Sequence, residues 1–218
     1  MVQKERIRQQ ELGFKSWGGK RRGAGCKPKG PRPLVTHLPR PELSARHPVH
    51  VTLRLREGLP SLRNGHAQKR LEEVFAIAKE RLGMRLVHYS IQTNHLHLMV
   101  EAKDRQALTL GVQGLSIRVA RALNRHWKRV GKVFADRFHA HVLRTPKEVR
   151  LALAYVLHNA RKHGLTLFGI DPFSSGEWFD GWLDDRWDPR ELEPEDPVAP
   201  ANTWLLRVGW RRHGLIAG

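Results

Sequence analysis

His95 and His97 stand two apart in the run His95-Leu96-His97-Leu98-Met99-Val100. On an extended strand such residues point to the same side, and two imidazoles side by side can seat a divalent metal. With 13 histidines in the chain, a chance His-x-His is common, so the pair alone is weak. A second pair, His139-Ala140-His141, makes the same point and is open as a metal pair or as a phosphate contact. Tyr155 and Asn159 supply the other half. Four apart on a helix, they are neighbours on one face, while Val149, Leu153, Val156 and Ala160 form an opposite face for packing. Brought over His95 and His97, they offer a nucleophilic hydroxyl and an amide oxygen as third metal ligand. A cation held there binds phosphodiester oxygens, stabilises the charge of in-line attack and favours the phenolate. Attack by Tyr155 gives a phosphotyrosyl ester, which a later 3′-hydroxyl can reverse without ATP. The other tyrosine, Tyr89, alternates with Val87 and Ile91 on an expected buried face, which leaves Tyr155 as the candidate nucleophile.

These residues need a scaffold, and the hydrophobic pattern supplies one. Val49, Val51, Leu53 and Leu55 alternate with polar residues, which predicts a strand. Leu71, Val74, Phe75, Ala78 and Leu82 predict a helix over residues 65–82, closed by Gly83. Strands over 86–92 and 95–100 follow, joined by a turn at Thr93-Asn94. Asp104 can cap a helix to about Lys128, with Leu108, Val112, Leu115, Val119 and Leu123 inward. A short strand is expected within 134–143. Thr145-Pro146-Lys147-Glu148 then reads as a capping box with proline in the first turn, opening a helix expected to reach about Lys162. The order β-α-β-β-α-β, then α, is that of an α+β, ferredoxin-like antiparallel sheet with one added helix.

Three regions emerge. Residues 1–46 form a basic, Gly- and Pro-rich arm without apolar periodicity, expected to be disordered. Residues 47–165 form the catalytic domain. Residues 166–218 form an irregular tail, rich in Trp and acidic over Asp184 to Asp196. The formal charge of +18 points to a polyanion, and nucleic acid is the usual one. Residues 165–218 carry ten acidic against five basic side chains, so the basic excess lies upstream. Arg118, Arg121, Arg125 and Lys128 form a helical stripe suited to phosphates, and Arg144, Lys147, Arg161 and Lys162 flank the proposed site. Trp204 and Trp210 are more readily anchors of the tail than platforms for bases. The acidic segment is expected to dock on basic surface and occlude DNA, so that deleting residues 166–218 raises cleavage. No run of about 18 apolar residues suits a membrane, and a single cysteine excludes an intrachain disulfide and a multi-Cys zinc site.

Asn94-His95-Leu96-His97-Leu98 resembles the His-hydrophobic-His signature of single-tyrosine (HUH) transposases. Tyr155-Val156-Leu157-His158-Asn159 is similar to the Tyr-x-x-x-Asn/Gln helix of the same enzymes, and Arg161-Lys162-His163-Gly164 after it brings the combination close to the REP-associated tyrosine transposases, a branch of the single-strand insertion-sequence transposases. The resemblance covers roughly residues 47–165. It implies Mg²⁺ or Mn²⁺ and no small-molecule cofactor. It also implies cleavage of single-stranded DNA to a 5′-phosphotyrosine and a free 3′-hydroxyl, and recognition of a DNA hairpin near the cut. A cytoplasmic, nucleoid-associated monomer or homodimer is expected. Many members read Pro-Asn-His and Asn-Pro-Val where this chain has Thr93-Asn94-His95 and Asn159-Ala160-Arg161, and Ala160 should let the helix run on. The other readings are a replication initiator of the same class, although paired tyrosines are missing here, and a catalytically silent domesticated binder of hairpin DNA. An RNA-binding sheet lacks its aromatics, because the outward positions of the first strand are His50, Thr52 and Arg54.

Overall fold

The alternation Val49, Val51, Leu53 places three fully or nearly fully buried side chains on one face of β1 (Val49–Arg54), and that face sets the core. The computed structural model of the protein describes residues 42–159, 169–184 and 189–218. Nearly all of the expected arm, together with Ala160, Arg161 and Lys162, lies outside the described residues. After β1 come α1 (Gly65–Ala78), β2 (Glu80–Arg81), β3 (Met84–Ile91), β4 (His95–Ala102), α2 (Arg105–His126), β5 (His139–Val142) and α3 (Pro146–Leu157). The five strands form one antiparallel sheet in the order β2-β3-β4-β1-β5. This is the α+β, ferredoxin-like arrangement, with β2 added at one edge.

The two faces of the sheet have different partners. Helices α1 and α2 cover one, with Leu71, Phe75, Val112, Leu115, Val119 and Leu123 packing on Val51, Leu96 and Leu98. Across the sheet, α3 buries Val149, Leu153 and Val156 with Met99 and Val87 of the strands. The C-terminal segment completes this second cluster with Phe179, Trp182, Leu205, Leu206 and Trp210. Backbone and side chains both fasten it. Arg63 holds Asp171 with two bonds of 2.9 and 2.8 Å, and Glu101 accepts from the backbone N–H groups of Asn202 and Thr203. Arg150 of α3 donates to the carbonyls of Gly214 and Leu215, both at 2.8 Å.

Three local expectations change. The first helix ends at Ala78, and Leu82, expected inward, is 59% exposed. Leu82 and Gly83 take consecutive positive φ values of 56° and 73°, which turns the chain tightly from β2 into β3. On β3 the register shifts between Leu86 and His88, so Val87 joins the α3 cluster while Tyr89 stays under α1 and α2. A bulge of one residue breaks the period of two that placed them together. Helix α3 closes at Leu157, with His158 as its C-cap at φ −106° and ψ 12°. The expected run towards Lys162 is therefore interrupted before Asn159.

The start of α3 follows the expected chemistry. Thr145 Oγ1 accepts from the Glu148 N–H at 3.2 Å, and the Glu148 carboxylate accepts from the Thr145 N–H at 3.1 Å. Thr145→Ala is expected to cost about 0.5–2 kcal/mol, read as a lower denaturant midpoint with an unchanged slope.

Candidate active site

Register is what gathers the site. β1 lies between β4 and β5, pairing Thr52 with His97 and with His139, and His50 with Met99 and with His141. The face away from α1 and α2 therefore carries His95 and His97 on β4, His50 and Thr52 on β1, and His139 and His141 on β5. Helix α3 crosses beside them. Its Glu148, Leu151, Ala152 and Tyr155 share one helical stripe and wall a cleft of about 580 Å³ whose floor includes His50 and His97.

Tyr155 is half-buried, with its ring centroid 5.1 Å from that of His97 and 5.7 Å from that of His50, edge-on to both. His95 Nε2 and His97 Nε2 approach to 2.9 Å. Two adjacent donors on an octahedral ion at about 2.1 Å lie roughly 3.0 Å apart, so this spacing suits one shared cation. Their outer nitrogens are engaged. His95 Nδ1 lies 2.8 Å from Asn94 Oδ1, an acceptor only, so that nitrogen carries the proton and Nε2 presents its lone pair. His97 Nδ1 lies 3.0 Å from His50 Nε2 and 3.3 Å from Thr52 Oγ1. Burial first, then the charges of His141 and His139, lower the His50 pKa to about 4, so His50 is neutral near pH 7 and can accept from His97 Nδ1–H. That bond leaves His97 Nε2 facing His95 Nε2.

No group of three or more His, Cys, Asp or Glu among the described residues is arranged to hold a metal ion. The His pair offers two donors, which fits a hard ion that keeps several waters. Asn159 is fully buried, and neither its Oδ1 nor its Nδ2 has a hydrogen-bond partner. A buried amide so placed is costly unless something binds it, which suits a third ligand. However, Asn159 lies beyond the α3 cap and does not line the cleft.

Sequence reasoning noted His50 and Thr52 only as outward residues of β1. Their alternation with Val49, Val51 and Leu53 was the available signal, but it needed the strand order to become a site. Of the basic candidates, Arg144 and Lys147 are exposed at the start of α3, beside the cleft. Arg121, Arg125 and Lys128 are exposed on or just beyond α2, and Arg118 is half-buried with Nη1 on the Gly114 carbonyl. Helix α2 packs across the sheet, so that stripe is no part of the cleft.

The described part of the acidic stretch lies away from the cleft. Lys79 holds the carbonyls of Pro194 and Asp196, both at 2.7 Å, and the Ala199 N–H bonds the Leu86 carbonyl, so this stretch runs by α1 and β3. None of its described residues lines the cleft. Trp210 is buried, whereas Trp204 is 49% exposed beneath the Arg212 guanidinium.

A family model described as IS200-like transposase matches residues 45–159, which contain the His rows, Tyr155 and Asn159. The chain belongs to the IS200-like transposases. Membership puts this transposase-family chain among proteins that process DNA, and the match stops at the orphaned amide. Among solved structures, that of a REP-associated tyrosine transposase bound to a REP hairpin is similar, with a TM-score of 0.51 and 16% identity. The likeness covers 65% of this chain and 83% of that one, and at such identity it is a likeness of fold. No curated protein matches the chain. Among the described residues, no helix of this IS200-like transposase is long and apolar enough to cross a membrane.

Proposed function

We propose that the chain cleaves and rejoins single-stranded DNA through a 5′-phosphotyrosine on Tyr155, at sites marked by a hairpin. The observation that carries this is the meeting of Tyr155 with His97, 5.1 Å between ring centroids, where His97 and His95 turn their Nε2 atoms on one point. Family membership supports the reaction class. The structurally similar REP-associated transposase, bound to a REP hairpin, supports the substrate.

His95 and His97 would hold Mg²⁺ or Mn²⁺, with Asn159 as candidate third ligand, and a bound cation supplies charge neutralisation at the scissile phosphate. The rest falls to the chain. Helix α3, pinned by its capping box and its apolar stripe, fixes Tyr155 against the imidazoles. The Tyr155 oxygen attacks phosphorus as its proton passes to solvent, the bond from phosphorus to the 3′ oxygen breaks, and that oxygen takes up a proton from solvent. An incoming 3′-hydroxyl reverses the same steps, re-forming the phosphodiester and releasing the Tyr155 phenol. His50 and Asn94 keep the tautomers of His97 and His95 that make this arrangement possible.

The test is incubation of the protein with hairpin-bearing single-stranded DNA and Mn²⁺, followed by denaturing electrophoresis. A protein–DNA adduct is expected. Excess EDTA should lower it at least about 100-fold, and added Mn²⁺ should restore it. Adduct at full yield in EDTA would remove the metal from the proposal, and none under any condition would remove the reaction.

A further inference from the structure

We propose that His139 and His141 of β5 bind backbone phosphates of the DNA strand that runs through the Tyr155 cleft, next to the phosphate under attack. This rests on the reading of Tyr155 and the β4 histidines as a DNA-cleaving site, and it assigns work to a second imidazole row that such a reaction does not require.

Position comes first. β5 pairs with β1 so that His139 stands opposite Thr52 and His141 opposite His50. Both imidazoles line the same cleft as Tyr155 and His97. Neighbouring strands lie about 4.8 Å apart, so β5 is roughly 10 Å from β4, with β1 between. One phosphate with a hydrogen bond of about 2.9 Å on either side does not bridge that distance comfortably. The two rows therefore suit successive phosphates.

Chemistry agrees. His139 and His141 are exposed, unlike the buried His97, so a ligand can reach them. An imidazole donates at least one N–H in either protonation state. The carboxylate that shares the cleft, Glu148, accepts from the backbone N–H groups of Arg144 and Thr145 at 2.6 and 3.1 Å, both through Oε2. With no metal-holding group of three among the described residues, a second metal site is the poorer reading. The opposite wall is the α3 stripe, where an apolar patch lies between Glu148 and Tyr155. Leu151 of α3 is 56% exposed there, beside Ala152. Imidazoles on one side and the Leu151–Ala152 patch on the other match a nucleotide, whose phosphate and sugar-base portions differ in the same way.

The experiment is histidine ring ¹⁵N NMR of Tyr155→Phe protein in EDTA, titrated with a thymidine tetranucleotide at about 0.3 M salt to weaken non-specific contacts. The His139 and His141 rings should shift with one common Kd. Those of His66 and His126, stacked together on the α1–α2 side, should stay still. His139→Ala/His141→Ala should raise that Kd about tenfold, and His139→Lys/His141→Lys should bring it back, since a phosphate accepts either cation or imidazole. Unmoved His139 and His141 rings while the oligonucleotide binds would overturn the proposal. So would a Lys pair that binds no better than the Ala pair. Because Tyr155→Phe cannot cleave, shifts here with no adduct from wild type would sink the reaction and leave the phosphate contacts standing. Adduct without shifts would do the reverse.

Discussion

Tyr155→Phe is expected to abolish the covalent protein–DNA adduct, a fall of at least about 10³-fold, while leaving DNA affinity within roughly twofold. The substitution removes one oxygen. The ring keeps its edge contacts with His97 and His50, so the helix stripe and the cleft wall persist. No second phenol is ready to replace it. Tyr89, the one other tyrosine, is fully buried and donates to Glu72 Oε1 at 2.8 Å. Burial and then the Glu72 carboxylate push its phenol far above the ordinary tyrosine range, so it stays protonated. Peptide mapping of the wild-type adduct checks this directly. A DNA-modified peptide containing Tyr89, or undiminished adduct from Tyr155→Phe, would remove Tyr155 from the reaction.

The second large effect lies far from the chemistry in sequence. Trp210→Ala is expected to destabilise the protein by about 3–5 kcal/mol, a large part of the stability of an ordinary domain. Trp210 is 1% exposed, stacks on Phe179 at 5.4 Å between centroids and donates its indole N–H to the Leu206 carbonyl at 3.0 Å. Its cluster is the one that backs Val149, Leu153 and Val156 of α3. Losing it should loosen the helix that carries Tyr155, so adduct yield should fall with the denaturant midpoint. Gly181→Ala should act in the same direction, by about 1–3 kcal/mol, because the added methyl would run into the Trp210 and Phe179 rings. Removal of residues 166–218 is accordingly expected to lower activity, contrary to the gain that the acidic composition alone suggested. A folded, more active truncation would restore the occluding role.

What the sequence made legible was local. The period of two in Val49 to Leu55, the period of 3.6 in Leu108 to Leu123, and the Thr145 capping box each depend on neighbours in the chain, and each element begins close to where it was expected. What it hid was set by pairing at long range. His50 became a partner of His97 only because β1 lies beside β4, a separation of 47 residues. The role of the tail was hidden likewise, because charge is visible in composition whereas the apolar contacts of Phe179, Trp182 and Trp210 with α3 are not. The bulge at Val87 and the early end of α3 at Leu157 defeated simple periodicity. A regular pattern does not reveal where it will be broken.

Core and chemistry share the same three strands as alternate letters: Val51, Leu96, Leu98 and Ala140 on one side, His50, His97, His139 and His141 on the other. Insertion or loss of one residue inside any of them would exchange the two sets beyond that point, burying imidazoles and opening leucines to solvent. Length variation in descendants of this chain should therefore be confined to the connections, and the strand segments should tolerate substitution but not indels. A library of single-codon deletions, scored for soluble protein, should show that boundary at the ends of β1, β4 and β5.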